Sequence, residues 1–527
     1  MTDSLSPTLP PSLTPPAGVR HVIAVIGARG GVGGSSLAIN LGVYIAQLGR
    51  KVLLIDADPV GATLHTLLAL RLKATSPADE DPDDPDLTPV PTQVPGLLLL
   101  PQAYRVGSTQ PIRPGRKPRW ARRLRQLDVD TVLLDLGAGT APSTLDLCSS
   151  ADQVAIVTTP EPPSVEGVYR LLRAIFLRSL RRSLVEDRFK LRLLERAQAE
   201  LGPLPSPIEL VRAVARYDTA LGVRAASTLA ALDPRLVVNN VRLRNDSDLG
   251  PAMGDMALRY LGVHIDYLGH VEQDDAVWLS VLKRRPLLID SPASKSARNM
   301  ERIARRLLAL AAARAEPRPK PSPRILPEEP NLYDVLWTHR GATDEELRRA
   351  YKRQREIYQP GSLPLTSLLD DDELAAEQAR VDEAHDTLLD PLRRKAYDAS
   401  IFPDDPSPSA PAPAALDAAV QAERALLRRE LARELTAETE FTGALLRKVR
   451  ESQGVELDDI AKHTRISLAH LRALEAEAFS ELPALVYTRG FVQQLAKYLR
   501  LDPAQVSRTY LRRLRETVAA PDEGQTP

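Results

Sequence analysis

The sequence has little of what secreted, metal-binding or membrane-spanning proteins use. A single cysteine, Cys148, among 527 residues excludes an internal disulfide framework and is typical of a reducing cytoplasm. Only 8 histidines are present, and they are scattered along the chain. No apolar run approaches the roughly 18 residues that a membrane helix needs. Lys plus Arg and Asp plus Glu both number 69, so no overall charge attracts nucleic acid or membranes. We therefore expect a cytoplasmic protein without a transmembrane segment.

Length and proline distribution indicate several domains. A chain of 527 residues with 43% hydrophobic content is long enough for about three cores. Proline-rich segments and an acidic run at 76–86 interrupt the regular patterns and read as linkers and a disordered loop. The predicted division is a disordered tail (1–18), an α/β domain (19–313), a linker (314–329), a small all-α domain (330–402), a linker (403–415), a spacer helix (416–440), a second all-α domain (441–516) and a tail (517–527).

The segment around residue 30 has the layout of a phosphate-binding loop. A buried strand over Val22–Ile26 leads into the glycine-rich loop Gly27–Gly34, and a helix follows from Ser35. Glycines let successive backbone N–H groups face an anion, and the helix N-terminus adds its positive dipole end. The pattern G-x-x-x-x-G-K-[ST] can be aligned with residues 28–35 but fails at two positions. Ala28 replaces the first glycine, a small change, and Gly34 stands where lysine contacts the β- and γ-phosphates. A glycine turn without a ligand is the alternative interpretation.

Carboxylates follow two further predicted strands. The strand at residues 51–55 ends in Asp56 and Asp58, and the strand at residues 131–134 ends in Asp135. The carboxyl ends of parallel strands border the ligand crevice of α/β folds, so these side chains are placed near the glycine loop. Any one aspartate could be a turn residue, but three in this order favour a site.

The loop resembles the deviant Walker A motif of the MinD/ParA family, K-G-G-V-G-K-[ST]-[ST]. The run DLGAGT from Asp135 resembles the FlhG branch of that family. The resemblance implies ATP and Mg²⁺ as cofactors and a homodimer in which the first signature lysine reaches the partner's nucleotide. Here Arg29 and Gly34 replace the two lysines, so we expect impaired ATP hydrolysis. The implied catalytic residues are Arg29, Asp58 and Asp135, the implied metal ligands are Ser35, Asp58 and Asp135, and the implied nucleotide contacts are Gly30, Gly31, Val32, Gly33, Gly34, Ser35, Ser36 and Asn239.

Alternating strands and helices continue to about residue 313 and predict a mostly parallel sheet. An arginine-rich helical region at 165–201 has two interpretations. It is either a contact for an anionic surface, membrane or DNA backbone, or a packed helix with a solvated basic face. Interspersed acidic residues favour the packed helix.

Residues 330–402 resemble a J-domain in the runs NLYDVL, GATDEELRRAY and DEAHDTLLDPLRRKAYD. Thr343 and Glu346 form a capping box that opens the first main helix. The family's His-Pro-Asp loop, which contacts DnaK-type chaperones, is Gln359-Pro360-Gly361 here. Because the histidine and the aspartate are missing, we expect a J-like interaction module and not a chaperone partner.

Residues 441–516 show a helix-turn-helix pattern, with Ile460, Ala461, Ile466, Leu471 and Leu474 as the predicted core. The run FSELPALVYTRGFVQQLAKYLRLDP resembles the cytoplasmic domain of RodZ, which contacts the actin-like filament protein MreB. The candidate contact residues on and before the recognition helix are Arg465, His470 and Arg472. They offer little for reading base edges, so protein contact is favoured over sequence-specific DNA.

Three hypotheses follow from the sequence. The first is a spatial regulator or scaffold whose appended modules recruit an MreB-like filament or a polar protein. The second is a DNA-binding regulator that uses the helix-turn-helix. The third is a working ATPase in which Arg29 replaces the signature lysine.

Overall fold

The computed structural model describes residues 21–58, 61–71, 89–101, 128–243, 246, 248–314, 330–402, 424–428, 431, 435 and 439–519. The predicted N-terminal tail, the acidic run, the proline-rich linkers and most of the spacer helix lie outside these residues. Contacts divide the chain into two compact units. The first comprises Met1–Ala304 and Arg318–Pro413, and the second comprises Arg305–Pro317 and Ala414–Pro527.

An eight-stranded sheet forms the centre of the first unit, in the order β3-β4-β2-β5-β1-β6-β7-β8. All neighbouring strands pair in parallel except β3 and β4, which are antiparallel. The strand order reverses direction at β1, which creates the crevice where α/β folds bind ligands. The strands are β1 (His21–Gly27), β2 (Val52–Asp56), β3 (Val90–Pro91), β4 (Leu97–Leu100), β5 (Thr131–Ala138), β6 (Gln153–Thr158), β7 (Pro234–Val241) and β8 (Asp266–Glu272).

The inner strands are nearly continuous apolar runs because helices cover both faces of a parallel sheet. Every residue of β2 is buried, including the carboxylate-bearing Asp56 at its end. β5 continues past the predicted boundary, so Asp135 lies inside this strand and not after it. The edge strand β3 and its neighbour β4 were not predicted from the sequence.

Helices α1 to α11 surround the sheet. The arginine-rich region forms two helices, and most of the apolar residues of the first are buried. The packing predicted for this region is observed in the first helix, where Leu171, Ile175 and Leu180 are buried. Arg178 of this helix donates two hydrogen bonds of 2.8 Å to the buried Asp146. The helices are α1 (Gly34–Gln47), α2 (Leu64–Leu67), α3 (Pro142–Cys148), α4 (Pro162–Ser183), α5 (Arg188–Leu201), α6 (Pro207–Tyr217), α7 (Thr219–Ala230), α8 (Leu249–Met256), α9 (Asp275–Leu282), α10 (Leu287–Asp290) and α11 (Lys295–Arg314), with a π-helical turn at Ala257–Leu261.

Residues 330–402, here called the helical module, belong to the same compact unit as the sheet. The predicted capping box is confirmed, because Thr343 and Glu346 bond reciprocally at the start of α13. The module's core also contains Ala252 and Met256 from α8. The module's helices are α12 (Leu332–Val335), α13 (Asp344–Ile357), α14 (Asp371–Leu388) and α15 (Pro391–Ile401).

The second unit contains, among its described residues, a domain of five helices. Its predicted core is confirmed, since Ile460, Ile466, Leu471 and Leu474 are buried and Ala461 packs against them. The helices are α16 (Gly443–Gln453), α17 (Leu457–Thr464), α18 (Leu468–Ala476), α19 (Leu485–Tyr498) and α20 (Pro503–Ala519). The last of these extends into the predicted C-terminal tail. In the described part of the chain, no helix is both long and apolar enough to cross a membrane.

Candidate functional site

The glycine loop between β1 and α1 has the backbone geometry of an anion cradle. Gly31 and Gly33 adopt φ angles of 85° and 90°, a region that residues with a Cβ atom rarely occupy. Gly33 caps α1 without a side-chain hydrogen bond. The N–H groups of the first helical turn therefore have no capping side chain and are suited to a phosphate.

Gly34, the first residue of α1, lacks the cation that a Walker A loop places there. A Cβ atom built on Gly34 would lie 3.7 Å from the Gly27 nitrogen, which is an ordinary contact distance. Neither local packing nor backbone conformation therefore requires glycine at this position. A side chain could be accommodated at position 34, so the consequence of glycine there is that the site lacks a positive charge.

The Arg29 side chain binds residues of the same protomer. Its Nε donates to Ser164 Oγ at 3.0 Å, and its guanidinium group forms an ion pair with Glu161. Ser164 Oγ also lies 2.7 Å from Thr159 Oγ1. These partners flank the start of α4, which follows β6, the neighbour of β1 in the sheet. No local pattern in the sequence links the turn at 159–164 to Arg29.

Three carboxylates end up at the same edge of the sheet as the loop. Burial raises the pKa of Asp56 to about 7, and Oδ2 of this residue accepts from the Leu64 N–H at 3.0 Å. Its Oδ1 is buried without a hydrogen-bond partner among the described residues. The sequence places Asp56 near the glycine loop, in the same DAD run as Asp58, but Asp56 is not among the predicted catalytic or metal-binding residues.

Asp135 is buried, and this burial raises its pKa although Ser35 and the Gly137 N–H donate to it. A Cβ atom on Gly137 would approach Asp58 Cγ to 2.2 Å, so the Asp58 carboxylate lies directly on that glycine. The described residues contain no cluster of three or more His, Cys, Asp or Glu side chains arranged to hold a metal. Mg²⁺ fits this donor set, since it typically takes one or two carboxylates, a hydroxyl and phosphate oxygens.

Asn239, at the end of β7, lies against the glycine loop. Its Nδ2 donates to the Val32 carbonyl oxygen at 2.8 Å. A Cβ atom on Gly33 would come within 2.3 Å of that same nitrogen. Thus all the nucleotide-contact residues predicted from the sequence lie at one edge of the sheet.

The other predicted contacts lie outside this site. Gln359, Pro360 and Gly361 form an exposed turn after the buried Tyr358. In the helix-turn-helix, Arg465 and Arg472 are exposed, and Arg465 ends α17 with a φ of 59°. His470 is only partly exposed, because its ring stacks on Phe491 with 5.3 Å between centroids. His470 is therefore less available to a partner than the two arginines.

Comparison with known proteins agrees with this geometry. Residues 18–180 match the sequence model of the ParA family, described as NUBPL iron-transfer P-loop NTPase. Residues 445–506 match the model of a helix-turn-helix domain. The chain contains a P-loop NTPase domain of the MinD/ParA family and a helix-turn-helix domain.

Curated relatives of the MinD/ParA domain include the antiactivator FleN of Pseudomonas aeruginosa, 31% identical over 29% of this chain and 56% of the relative. The chromosome-partitioning ATPase Soj of Thermus thermophilus is 33% identical over 29% of this chain and 60% of the relative. The matched region thus spans little more than half of either relative. Among solved structures, the septum site-determining protein MinD from Pyrococcus horikoshii with Mg-ADP is similar, with 18% identity, a TM-score of 0.36, and coverage of 56% of this chain and 100% of that one.

Proposed function

We propose that this chain is a spatial regulator or scaffold built on a MinD/ParA domain that binds Mg·ATP weakly and hydrolyses it poorly or not at all. The observation that carries this proposal is the combination of an intact glycine cradle with Gly34 in place of the phosphate-binding lysine. Relatives named for antiactivation and chromosome partitioning support a role in organising other components.

In this proposal, the backbone of Gly30–Gly34 holds the phosphates, with the Ser35 and Ser36 N–H groups behind it. Ser35, Asp58 and Asp135 would hold Mg²⁺, which would neutralise charge on the phosphates. Asn239 contacts the base. Arg29 reaches a nucleotide, in its own or a partner protomer, only after it leaves Glu161 and Ser164. Its ion pair with Glu161 is half exposed on both sides, so that release costs on the order of 1 kcal/mol.

ATP turnover separates this proposal from the working-ATPase alternative. The full-length chain should release no phosphate from Mg·ATP above the rate of the Asp58→Ala variant, because the cation at position 34 is absent. A sensitive phosphate-release assay over hours is the measurement. A parent rate that Asp58→Ala abolishes and Arg29→Ala reduces at least about tenfold would establish Arg29 as the replacement for lysine and overturn the impaired-hydrolysis proposal.

The partners are proposed from the appended modules. A homodimer of the P-loop domain would present two helical modules and two helix-turn-helix domains. The RodZ-like run at 479–503 favours an MreB-like filament or a polar protein as the partner. A DnaK-type chaperone is not proposed, since Gln359 and Gly361 stand in the chaperone-contact turn. A tagged chain that stays diffuse and captures no filament protein would argue against this recruitment.

DNA binding is the second candidate function, and the exposed Arg465 and Arg472 favour it. We expect protein contact to dominate, so that no duplex is bound sequence-specifically at physiological salt. If these arginines contact phosphates, Arg465→Ala and Arg472→Ala should each weaken low-salt duplex binding by the same factor for every DNA sequence. Each variant should also reduce the slope of log K against log salt concentration by about 1. Fluorescence anisotropy against random and selected duplexes measures both quantities, with Arg508→Ala on the exposed side of α20 as the control. A sequence-specific complex lost in both variants would make the DNA-binding function the correct one.

A further inference from the structure

Five large apolar side chains are exposed at one corner of the first unit, where β7 and β8 end. The Gln273 N–H donates to the Val241 carbonyl oxygen at 2.9 Å, which joins the segment after β7 to the start of α9. We call this set the apolar corner. Its members and their exposed fractions are Leu243 (68%), Trp278 (63%), Leu279 (41%), Val281 (41%) and Leu282 (59%).

The apolar corner stands on an ordered helix. Asp274 caps α9 through the Ala276 N–H at 3.0 Å and also accepts from the Lys295 N–H at 3.1 Å. Ser280 is the buried residue of α9, and its hydroxyl donates to the Val277 carbonyl oxygen at 2.7 Å. These contacts anchor the opposite side of α9. The exposed side chains that project outward are Trp278, Leu279 and Leu282.

Basic residues adjoin the apolar corner directly. Lys283, Arg284 and Arg285 follow α9 and are all exposed, and the exposed Arg242 precedes Leu243. Lys283 is neutralised by an ion pair with Asp290 at 3.0 Å. The exposed Asp275 lies at the opposite end of α9. On the Leu243 side of the corner, the Asp246 carboxylate accepts from the N–H groups of Arg242 and Leu243, so Arg242 has an acidic neighbour there. Among the described residues, the unpaired positive charge beside the apolar side chains of α9 therefore comes from Arg284 and Arg285.

We propose that the apolar corner docks on an anionic lipid surface. Peripheral membrane segments typically combine exposed Trp and Leu with nearby Arg, and their apolar side chains insert at the boundary between headgroups and acyl chains. Trp278 and Leu282 would lie below the headgroup level, and Arg284 and Arg285 would contact lipid phosphates.

A second copy of the chain is a poorer occupant of this corner. In a two-fold symmetric contact the same patch meets itself, so the arginines of both copies would approach each other. Like charges at an interface are unfavourable, whereas an anionic bilayer neutralises them. The proposal goes beyond the proposed function and does not depend on nucleotide binding, because none of these residues belongs to the phosphate cradle.

Trp278 provides the direct readout. The full-length chain, without nucleotide, is titrated with vesicles of phosphatidylcholine alone or with one third phosphatidylglycerol. We expect a blue shift of tryptophan emission and co-sedimentation only with the anionic vesicles, weakening as salt is added. The chain has three tryptophans, so Trp278→Phe is used to assign the shift: it should abolish most of the shift and retain co-sedimentation.

Variants then test the residues. Leu279→Ser with Leu282→Ser should lower the vesicle partition coefficient at least about tenfold, because two exposed leucines that would enter the bilayer are lost. Arg284→Gln with Arg285→Gln should lower it about tenfold at low salt and little at high salt. Phe189→Ser on α5 is the matched control, since Phe189 is 59% exposed elsewhere on the same unit, and it should leave partitioning unchanged.

Three results would overturn the proposal. Absence of binding to anionic vesicles, or binding that both paired variants leave intact, would show that the corner is not a lipid contact. Concentration-dependent self-association by analytical ultracentrifugation that the leucine variant removes, without vesicle binding, would assign the corner to a second copy instead.

Discussion

Replacing Gly34 with lysine is expected to raise the affinity of the full-length chain for Mg·ATP about a hundredfold. A lysine at the first position of α1 would add charge-assisted hydrogen bonds to the β- and γ-phosphates, each worth about 1.5–3 kcal/mol. The site has room for it, because the nearest atom that a Cβ at this position would meet is the Gly27 nitrogen at 3.7 Å. The φ of Gly34 also lies outside the left-handed region, so a side chain introduces no backbone strain.

Calorimetric titration of Mg·ATP into parent and variant is the measurement. Gly30→Lys is the matched control, because it adds the same charge to the same loop at a position with no atom within 4 Å. This control should gain little, since the ammonium group would not be aligned with the β- and γ-phosphates. Equal gains in both variants would mean that general electrostatic attraction, and not the phosphate contact, limits affinity.

The outcome decides between two kinds of protein. If only Gly34→Lys binds, the native domain is a scaffold and its regulation must come through the appended modules. If the parent already binds as tightly as the variant, the backbone cradle suffices and a nucleotide-gated switch is supported. Failure of both to bind would contradict the nucleotide site itself.

The parts of this fold that the sequence predicts are those with a local signal. Continuous apolar runs such as Val22–Ile26 predict buried strands, and glycine spacing predicts the phosphate loop. The strand at Leu97–Leu100 was not predicted because four leucines after a Pro-Gly turn fit a strand and a buried helix equally well. Element boundaries shifted for a related reason: β5 runs on through Asp135 because hydrogen bonds to its two neighbours continue there.

The site could be predicted only in part because its remaining features are long-range. Glu161 lies 132 residues from Arg29 in the chain, and no local pattern links them. The unpartnered oxygen of Asp56 depends on the packing of β2 between two other strands. Likewise, Asn239 contacts the loop only because the sheet brings β7 to the same edge. The sequence supplies the residue types, and the topology decides which of them meet.

The docking of the helical module on the P-loop domain was not predicted, and it leads to the second large expected effect. Arg259, in the π-helical turn, forms an ion pair with Glu377 of α14 in which both side chains are largely buried. Its guanidinium group lies 5.8 Å from the Tyr260 ring centroid and 5.7 Å from that of Tyr358. The two tyrosine hydroxyls are 2.8 Å apart. This buried polar cluster has two members on each side of the contact between the P-loop domain and the module.

A second contact connects the module to the region of the nucleotide loop. Tyr169 of α4 is fully buried, and its hydroxyl donates to the Pro364 carbonyl oxygen at 2.6 Å. α4 is the same helix whose start holds Arg29, and a Cβ atom on its Gly167 would meet the Ala28 carbonyl oxygen at 2.5 Å. The module therefore packs on a helix that touches the phosphate cradle, which makes it part of the P-loop domain's structure.

Glu377→Ala is expected to destabilise the first unit by about 3–5 kcal/mol, because it leaves the Arg259 charge buried without its carboxylate. Glu345→Ala is the matched control: Glu345 lies on the module too, but its ion pair with Arg349 is exposed on both sides. This control should cost less than about 1 kcal/mol. Denaturant unfolding of the full-length chain, followed by circular dichroism, gives both values, and hydrogen exchange locates the loosened segment. We expect faster exchange in α14 and in the turn at 257–261.

Replacing both partners tests the cause. In Arg259→Met with Glu377→Leu, no charge remains buried, so most of the stability lost in Glu377→Ala should return. If the double variant stays as unstable as the single one, the ion pair itself, and not the unpaired charge, holds the module in place. Equal losses in Glu377→Ala and Glu345→Ala would instead mean that Arg259 is not left as an unpaired buried charge and that this ion pair contributes little to the stability of the first unit.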